Sequence, residues 1–271
     1  MAKLTDRERG AAVFADPDVA ASYHGRQPYP NAMYDRLLAV AGDRRRALDI
    51  GTGPGKIARR LADHFTEVVA LDPSAAMIAI GQAEDAGVHR NIVWVESRAE
   101  DYEPDGDFDL ATAGASIHWP DETVLFPRLA RWTLTIAIIN DAPVFPHPAP
   151  PCGMQAWLAV LNRWGVRMGR APIVAPESEQ SWPAGAPPHE AWMQIQGRER
   201  FRYSFRQRVE AFIAGNHARV SWHRRAMGEA MASAFDAELD ALMRPYAVDG
   251  MLEVDAICEL TWGRPLPAPK A

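Results

Sequence analysis

Three glycines stand within five residues, at Gly51, Gly53 and Gly55, between a short apolar run and a segment of helical periodicity. Asp49 lies just before the first glycine, and Asp72 ends the next apolar run. Glycine lets a backbone turn tightly and lets a ligand approach it, and a carboxylate at a strand end can bind both hydroxyls of a ribose. The spacing therefore predicts a nucleotide-type cofactor at a strand-turn-helix unit.

Two common nucleotide fingerprints fit this turn poorly. A dinucleotide site needs a small third residue one turn into the helix, where this chain has Lys56. A P-loop needs a hydroxyl for magnesium where this chain has Ile57. The residues therefore disfavour NAD and FAD and exclude a P-loop.

The pattern D-x-G-x-G-x-G from Asp49 resembles the first motif of class I S-adenosylmethionine-dependent methyltransferases. The resemblance implies S-adenosyl-L-methionine as cofactor, with Asp49 and the three glycines at its amino-acid half and Asp72 on its ribose. It also implies that Met77 packs on the adenine and that Ala99 and Glu100 belong to the adenine-contacting loop.

The stretch AGASIHWPD resembles the branch that includes trans-aconitate methyltransferases (methyltransferase type 11-like). It follows the fourth predicted strand, where ligands bind in open α/β sheets. Trp119 is therefore a candidate for the cofactor sulfonium. His118 is the candidate catalytic base for a hydroxyl acceptor.

The N-terminal stretch FADPDVAASYHGRQPYP resembles the signature of the same branch. Tyr23, Arg26 and Tyr29 match, whereas Gln27 replaces a proline. The resemblance implies that Tyr23 contacts the cofactor and that Arg26 pairs with its methionine carboxylate.

The elements that must position these residues alternate along the chain. Apolar runs predict strands at 47–50, 67–72, 91–97, 108–114 and 134–140, and helical periodicity predicts helices at 30–41, 56–65, 74–87 and 126–133. Such alternation predicts an α/β fold with a doubly wound, mostly parallel sheet, which is Rossmann-like as the resemblance also implies.

The rest of the chain predicts a cap and the completion of the core. Ten prolines fall between Pro143 and Pro188 among several tryptophans, which predicts an insertion over the carboxyl edge of the sheet. We expect one domain with a helical lid (1–45), a cofactor-binding core (46–140), the inserted cap (141–200) and a completion (201–271). The last part predicts strands at 200–205 and 251–264 and helices at 206–215 and 224–246.

Composition limits the classes of partner. The chain has 271 residues and a net charge of -6, which argues against nucleic acid as a substrate. Cys152 and Cys258 have neither disulfide-framework nor metal-ligand spacing, so we expect no metal and a cytoplasmic location. No apolar run is long enough to predict a membrane span.

These observations predict methyl transfer to a small molecule, acidic or aromatic, at a carboxylate or hydroxyl oxygen. A carbon or nitrogen methyltransferase of a quinone or natural product stays open, as does a non-catalytic, cofactor-binding regulatory protein. Four basic residues could recognise an acidic acceptor, namely Arg202, Arg206, His217 and His223. The chain is compatible with a monomer or a homodimer.

Overall fold

A computed structural model describes residues 13–141, 150–173, 187–219 and 222–270, with only the backbone at position 141. Within them, one sheet contains the strands β1 Arg46–Ile50, β2 Glu67–Asp72, β3 Ile92–Glu96, β4 Leu110–Gly114, β5 Ile136–Asp141, β6 Met193–Arg208 and β7 Met251–Pro265. Their order is β3-β2-β1-β4-β5-β7-β6. The first five are parallel to one another, whereas β7 is antiparallel to both β5 and β6. The predicted α/β fold with a mostly parallel sheet is confirmed.

Helices connect these strands. They are α1 Pro17–Ser22, α2 Asn31–Val40, α3 Lys56–Ala62, α4 Ala75–Asp85, α5 Glu122–Trp132, α6 Met154–Arg167, α7 Val209–His217, α8 Arg224–Met227 and α9 Glu229–Met243. Within the described ranges, none combines the length and apolar composition needed to cross a membrane.

Successive residues of the parallel strands feed two different cores. Ala47 of β1 packs with Leu37 of α2 and Ile57 of α3. The next residue, Leu48, belongs to a second core with Leu125 of α5. Because side chains alternate along a strand, the central strands are apolar on both faces, as a doubly wound sheet requires.

The last two strands extend beyond the carboxyl end of the parallel sheet. Asp141 at the end of β5 pairs with Cys258, and residues 251–257 of β7 continue past that point alongside β6. Side chains from this extension and from α6, α7 and α9 form a third core around Trp157 and Phe235. This core therefore lies next to the edge of the sheet that carries the turn with Gly51, Gly53 and Gly55.

Three predicted elements have different bounds in the structure. The strand predicted at 200–205 spans Met193–Arg208, so α7 begins later than the predicted helix 206–215. The helix predicted over 224–246 is interrupted at Gly228, which has φ +78° and separates α8 from α9. Glycine adopts this conformation readily, whereas a helix cannot continue through it.

The predicted cap is described only in part. Residues 142–149 and 174–186 lie outside the described ranges. Helix α6 belongs to the third core, and residues 193–200 form the first half of β6 rather than the insertion. The predicted end of the cap is therefore too late. The lid segment is described from residue 13, through α1 and α2.

Candidate functional site

The glycine turn is built between β1 and α3 by left-handed backbone. Gly51, Gly53 and Gly55 have φ values of +64°, +54° and +78°. A Cβ on Gly51 would lie 2.5 Å from the Cβ of Ser116, and one on Gly55 would lie 2.4 Å from the Trp94 ring. Gly51 therefore permits close packing against the loop after β4, whereas Gly55 is packed against Trp94.

The carboxylate of Asp49 is buried at the base of the turn. It accepts hydrogen bonds from the hydroxyls of Thr52, at 2.6 Å, and Thr112, at 2.7 Å. Burial raises the pKa of Asp49 to about 6, although these hydrogen bonds oppose the shift. The group is thus largely ionised at neutral pH, at an electrostatic cost that a bound cation would reduce.

Asp72 closes the turn from β2. Its two carboxylate oxygens accept backbone hydrogen bonds from Gly53 and Ser74, each at 2.8 Å. Burial raises the pKa of Asp72, and these two hydrogen bonds limit the shift. Each oxygen retains a lone pair, so the carboxylate can accept two further hydrogen bonds.

A pocket lies between the turn, the end of β4 and the lid segment. Four of the predicted cofactor residues line it together, namely Tyr23, Arg26, Asp49 and Gly51. The sequence analysis assigned no cofactor role to several other residues of the lining, including Gln27, Thr52, Lys56, Ile57 and Ala115. The pocket thus brings together residues from distant parts of the chain.

Lys56, at the start of α3, connects the lid segment to the glycine turn through a hydrogen bond and a ring contact. Its ammonium donates to the carbonyl of Arg26 at 2.7 Å and lies 5.8 Å from the centre of the Tyr23 ring. The Tyr203 hydroxyl of β6 donates to the carbonyl of Pro28 at 2.6 Å. Sequence reasoning used Lys56 only to disfavour a dinucleotide, and these contacts give it a positioning role.

Two glycines dock the lid segment on α7. A Cβ on Gly25 would lie 2.2 Å from the carbonyl oxygen of Ala211, and one on Gly215 would lie 2.3 Å from the carbonyl oxygen of Gly25. The backbone of the lid segment is therefore in direct contact with the backbone of α7. The contact is at Gly25, which lies in the chain between Tyr23 and Arg26. Gly215 ends the predicted helix 206–215 but lies inside the observed helix α7, so the sequence pattern alone gave no clear sign of this close approach.

Gly215→Ala is expected to weaken cofactor binding about tenfold or more, because its new methyl group must displace the lid backbone. Gly165→Ala in α6 is the matched control, since its Cβ would meet neighbours only at 3.8 Å. Alanine also favours a helix over glycine. Calorimetric titration measures the cofactor affinity of both variants. Equal affinities in the two variants would contradict the proposed role of the glycine contact.

The three residues that are predicted to lie at the adenine have different surroundings. Met77 is buried in α4, and Ala99 is buried in the core beneath α5. The Glu100 carboxylate accepts from the Asp121 N–H and from Arg98, each at 2.9 Å. Although burial opposes the shift, these bonds hold the pKa of Glu100 low. Glu100 thus joins its loop to the start of α5, and its contact with adenine stays a prediction.

The loop after β4 forms the wall beside the turn. Ala115 has φ +53°, a conformation that costs a non-glycine residue about 1 kcal/mol. Ser116 donates to the carbonyl of Ile50 at 2.5 Å. The Trp119 ring meets Phe14 edge-on, with centroids 5.6 Å apart, and lies 4.5 Å from the ring of His118. Both predicted aromatic residues therefore lie on this wall, next to the lid.

The pKa of His118 is lowered, first by desolvation of the ring and then by the positive charge of Arg26, although the residue as a whole is exposed. His189, which the sequence analysis did not single out, is buried nearby, and burial followed by the charges of His118 and Arg198 lowers its pKa to about 4. A lowered pKa favours the neutral imidazole, which is the form that can accept a proton as a general base.

The four basic residues proposed for an acidic acceptor are not brought together. Arg206 lines a second pocket with Arg26 and Lys56. The two ring nitrogens of His217 are bound to Asp236, at 2.6 Å, and to the Trp222 carbonyl. His223 caps α8, and Arg202 is exposed on β6.

The pocket has the groups that a nucleoside carrying a charged amino acid would require. In its lining, the Arg26 guanidinium can bind a carboxylate and the Asp49 carboxylate can balance a cation. Asp72 does not line the pocket, but its carboxylate holds the N–H of Gly53 in the adjoining turn and can accept hydroxyl groups. Within the described ranges, no three His, Cys, Asp or Glu side chains form a cluster that could hold a metal ion.

Comparisons with known proteins agree with this chemistry. The profile of a methyltransferase domain matches residues 47–133. An uncharacterized methyltransferase of Mycobacterium tuberculosis is 32% identical over 128 residues, covering 47% of this chain and 51% of that protein. A trans-aconitate 2-methyltransferase of the same species is 33% identical over 126 residues, covering 45% and 44%. The chain spans about half the length of these curated relatives.

A solved structure supports the fold over a larger part of the chain. It is a candidate type II methyltransferase from Anaeromyxobacter dehalogenans, with a TM-score of 0.60 and 24% identity. The alignment covers 90% of this chain and 99% of that one. At this identity the likeness establishes the fold alone.

Proposed function

We propose, from the premise that residues 47–133 are a class I methyltransferase domain, that this chain methylates a small-molecule acceptor. The predicted methyltransferase domain is confirmed, and S-adenosyl-L-methionine is the cofactor of that class. The observation that carries the proposal is the pocket that Asp49, Gly51 and Arg26 share at the carboxyl end of β1. We further propose that Tyr23, Gly53, Gly55, Asp72, Met77, Ala99, Glu100 and Trp119 complete the cofactor site.

The buried charge at the turn fits this cofactor. S-adenosylmethionine carries an ammonium and a sulfonium, whereas a dinucleotide brings a pyrophosphate dianion. The ionised Asp49 at the pocket favours a cation in its surroundings, and Asp72 adds a second buried carboxylate. Arg26 supplies the one cationic fork that the methionine carboxylate requires.

The affinity for S-adenosylmethionine is expected to decrease as the pH falls below about 6, because protonation of Asp49 removes the charge that favours the cation. The folding stability of the unliganded domain should change with pH in the opposite sense. Since folding raises the Asp49 pKa, its stabilising contribution is present below the ordinary pKa and is lost as the pH rises through about 6. Calorimetric titration and thermal unfolding between about pH 4 and 8 measure both trends.

Asp49→Asn is the control for this assignment, because it removes the ionisation at nearly constant shape. Its cofactor affinity should be low and nearly independent of pH over the same range. An unchanged pH dependence in the variant would assign the titration to another group.

When bound, S-adenosylmethionine supplies a methyl group activated by the adjacent sulfonium. The protein's contribution is to align the acceptor with that group and to exclude water. Trp119 of the β4 loop and Phe14 of the lid, whose rings meet edge-on, are the residues that we propose to exclude water. The neutral His118 can take the proton from an acceptor hydroxyl, whereas an acceptor carboxylate requires no base.

We propose an oxygen atom of an acidic or aromatic molecule as the acceptor. The support is the similarity to proteins named trans-aconitate 2-methyltransferases and the position of His118 beside Trp119. Transfer to carbon or nitrogen, and a regulatory protein that binds the cofactor without transfer, are the alternatives. We also propose a cytoplasmic location, because the spacing of Cys152 and Cys258 is not that of a disulfide framework.

The test is transfer of isotope-labelled methyl from S-adenosylmethionine to pools of carboxylic acids, phenols and alcohols, with product analysis. With a hydroxyl acceptor, His118→Gln should lower kcat about 100-fold, whereas His64→Gln on an exposed site should not. With a carboxylate acceptor both variants should stay near the parent rate. Cofactor binding without transfer to any pool would favour the regulatory protein.

A further inference from the structure

A second pocket of about 620 Å³ lies beside the cofactor pocket. The two pockets share Arg26, Tyr29 and Lys56. The start of α2, the exposed side of α3 and the end of β6 supply the other walls. Its volume is in the range of pockets that hold small molecules.

The lining of this pocket is strongly cationic. It contains six basic residues and neither Asp nor Glu among its described residues, although the whole chain has a net charge of -6. The six are His24, Arg26, Lys56, Arg59, Arg60 and Arg206. The five arginine and lysine charges around this concave surface raise the local concentration of anions.

The ion-pair partners of two of these side chains lie outside the pocket. Arg59 pairs with Glu84 at 2.6 Å, and Arg60 lies 3.8 Å from Asp63, and neither acid lines the pocket. Within the described ranges, Arg206 makes no ion pair within 4.0 Å. Its guanidinium is exposed at the end of β6.

We propose that this pocket binds a small molecule with at least two anionic groups, either phosphates or carboxylates. Arginine forks bind both groups through paired hydrogen bonds. A single negative charge would engage only part of a surface that extends from α3 to β6. The site is distinct from the proposed acceptor position, which lies at the loop after β4.

Occupancy of this pocket is coupled to the cofactor site. Lys56 holds the carbonyl of Arg26, and both residues line the two pockets. An anion that draws the Arg26 guanidinium away from the cofactor carboxylate weakens cofactor binding, and the cofactor weakens anion binding by the same factor. This coupling rests on the proposed function, whereas anion binding itself does not.

The experiment is calorimetric titration of the cofactor-free full chain with inorganic pyrophosphate and, separately, with citrate. The two arms distinguish a phosphate ligand from a carboxylate ligand. Arg206→Gln should lower the association constant of the preferred anion at least tenfold. Arg208→Gln is the matched control, because it lies on the same exposed strand, pairs with Glu210 and does not line the pocket.

Each outcome decides the inference. No heat from either anion, or equal losses in both arginine variants, overturns the site. Binding that is lost only in Arg206→Gln supports it. Repeating the titration with S-adenosylmethionine present tests the coupling. If the anion binds and the cofactor does not, the proposed function fails and the anion site stands, whereas the reverse result removes only the anion site.

Discussion

Asp72→Ala is expected to weaken S-adenosylmethionine binding at least 100-fold. The carboxylate is the group that would bind the ribose hydroxyls, and each hydrogen bond to a charged acceptor contributes about 1.5–3 kcal/mol. Loss of two such bonds costs about 3 kcal/mol or more, which corresponds to a factor of at least about 100 in affinity. Calorimetric titration of the purified variant measures the loss directly.

The control must separate the loss of a ligand group from the loss of the turn. Asp72 also accepts the N–H groups of Gly53 and Ser74, so thermal unfolding must show that the variant is folded. Glu96→Ala is the matched control, since Glu96 is the register neighbour of Asp72 on β3 and its side chain is exposed. An affinity unchanged in Asp72→Ala would remove this residue from the cofactor site.

NAD serves as the competing ligand in the same titration. Lys56 in place of a small residue disfavours NAD, and the buried Asp49 disfavours the approach of a pyrophosphate. We therefore expect binding of S-adenosylmethionine alone. Binding of NAD instead would overturn both the cofactor assignment and the function derived from it.

The parts of the fold that the sequence predicts are those governed by local pattern. Each parallel strand is a short apolar run. The turn is marked by glycines because its backbone has positive φ angles, which only glycine adopts at low cost. The grouping of Asp49, Asp72 and Gly51 follows as well, because carboxyl ends of parallel strands meet at one edge. These regularities need no knowledge of distant contacts.

The parts that the sequence did not predict depend on such contacts. The contact of Gly25 with Gly215 joins the lid to α7 across most of the chain, and no local pattern names the partner of a helix glycine. Lys56 could be identified as bulky, but not as the donor that holds Arg26. The sequence did not predict the full length of β6, because its first half adjoins a proline- and tryptophan-rich segment. Apolar and polar residues also alternate only weakly in that half.

Gly51→Ala is expected to disrupt the turn severely, through both backbone strain and a steric clash. The residue has φ +64°, which costs an alanine about 1–2 kcal/mol. Its Cβ would also lie 2.5 Å from the Cβ of Ser116. Ser116 cannot easily yield, because its hydroxyl is bound to the carbonyl of Ile50. We expect destabilisation of about 3 kcal/mol or more and loss of measurable cofactor binding.

A series of three glycines isolates the packing contribution from the backbone contribution. Gly87 has φ +74° and no neighbour within 4 Å of its Cβ position, and Gly53 has φ +54° with the Tyr23 ring at 3.7 Å. Gly87→Ala should therefore show the backbone cost alone, with unchanged cofactor affinity. Gly53→Ala should add little further destabilisation yet reduce affinity, because its methyl group would stand between the turn and Tyr23. Equal unfolding free energies for the Gly51 and Gly87 variants would mean that Ser116 does not constrain the turn, and the close packing of the β4 loop would then not be what shapes the pocket.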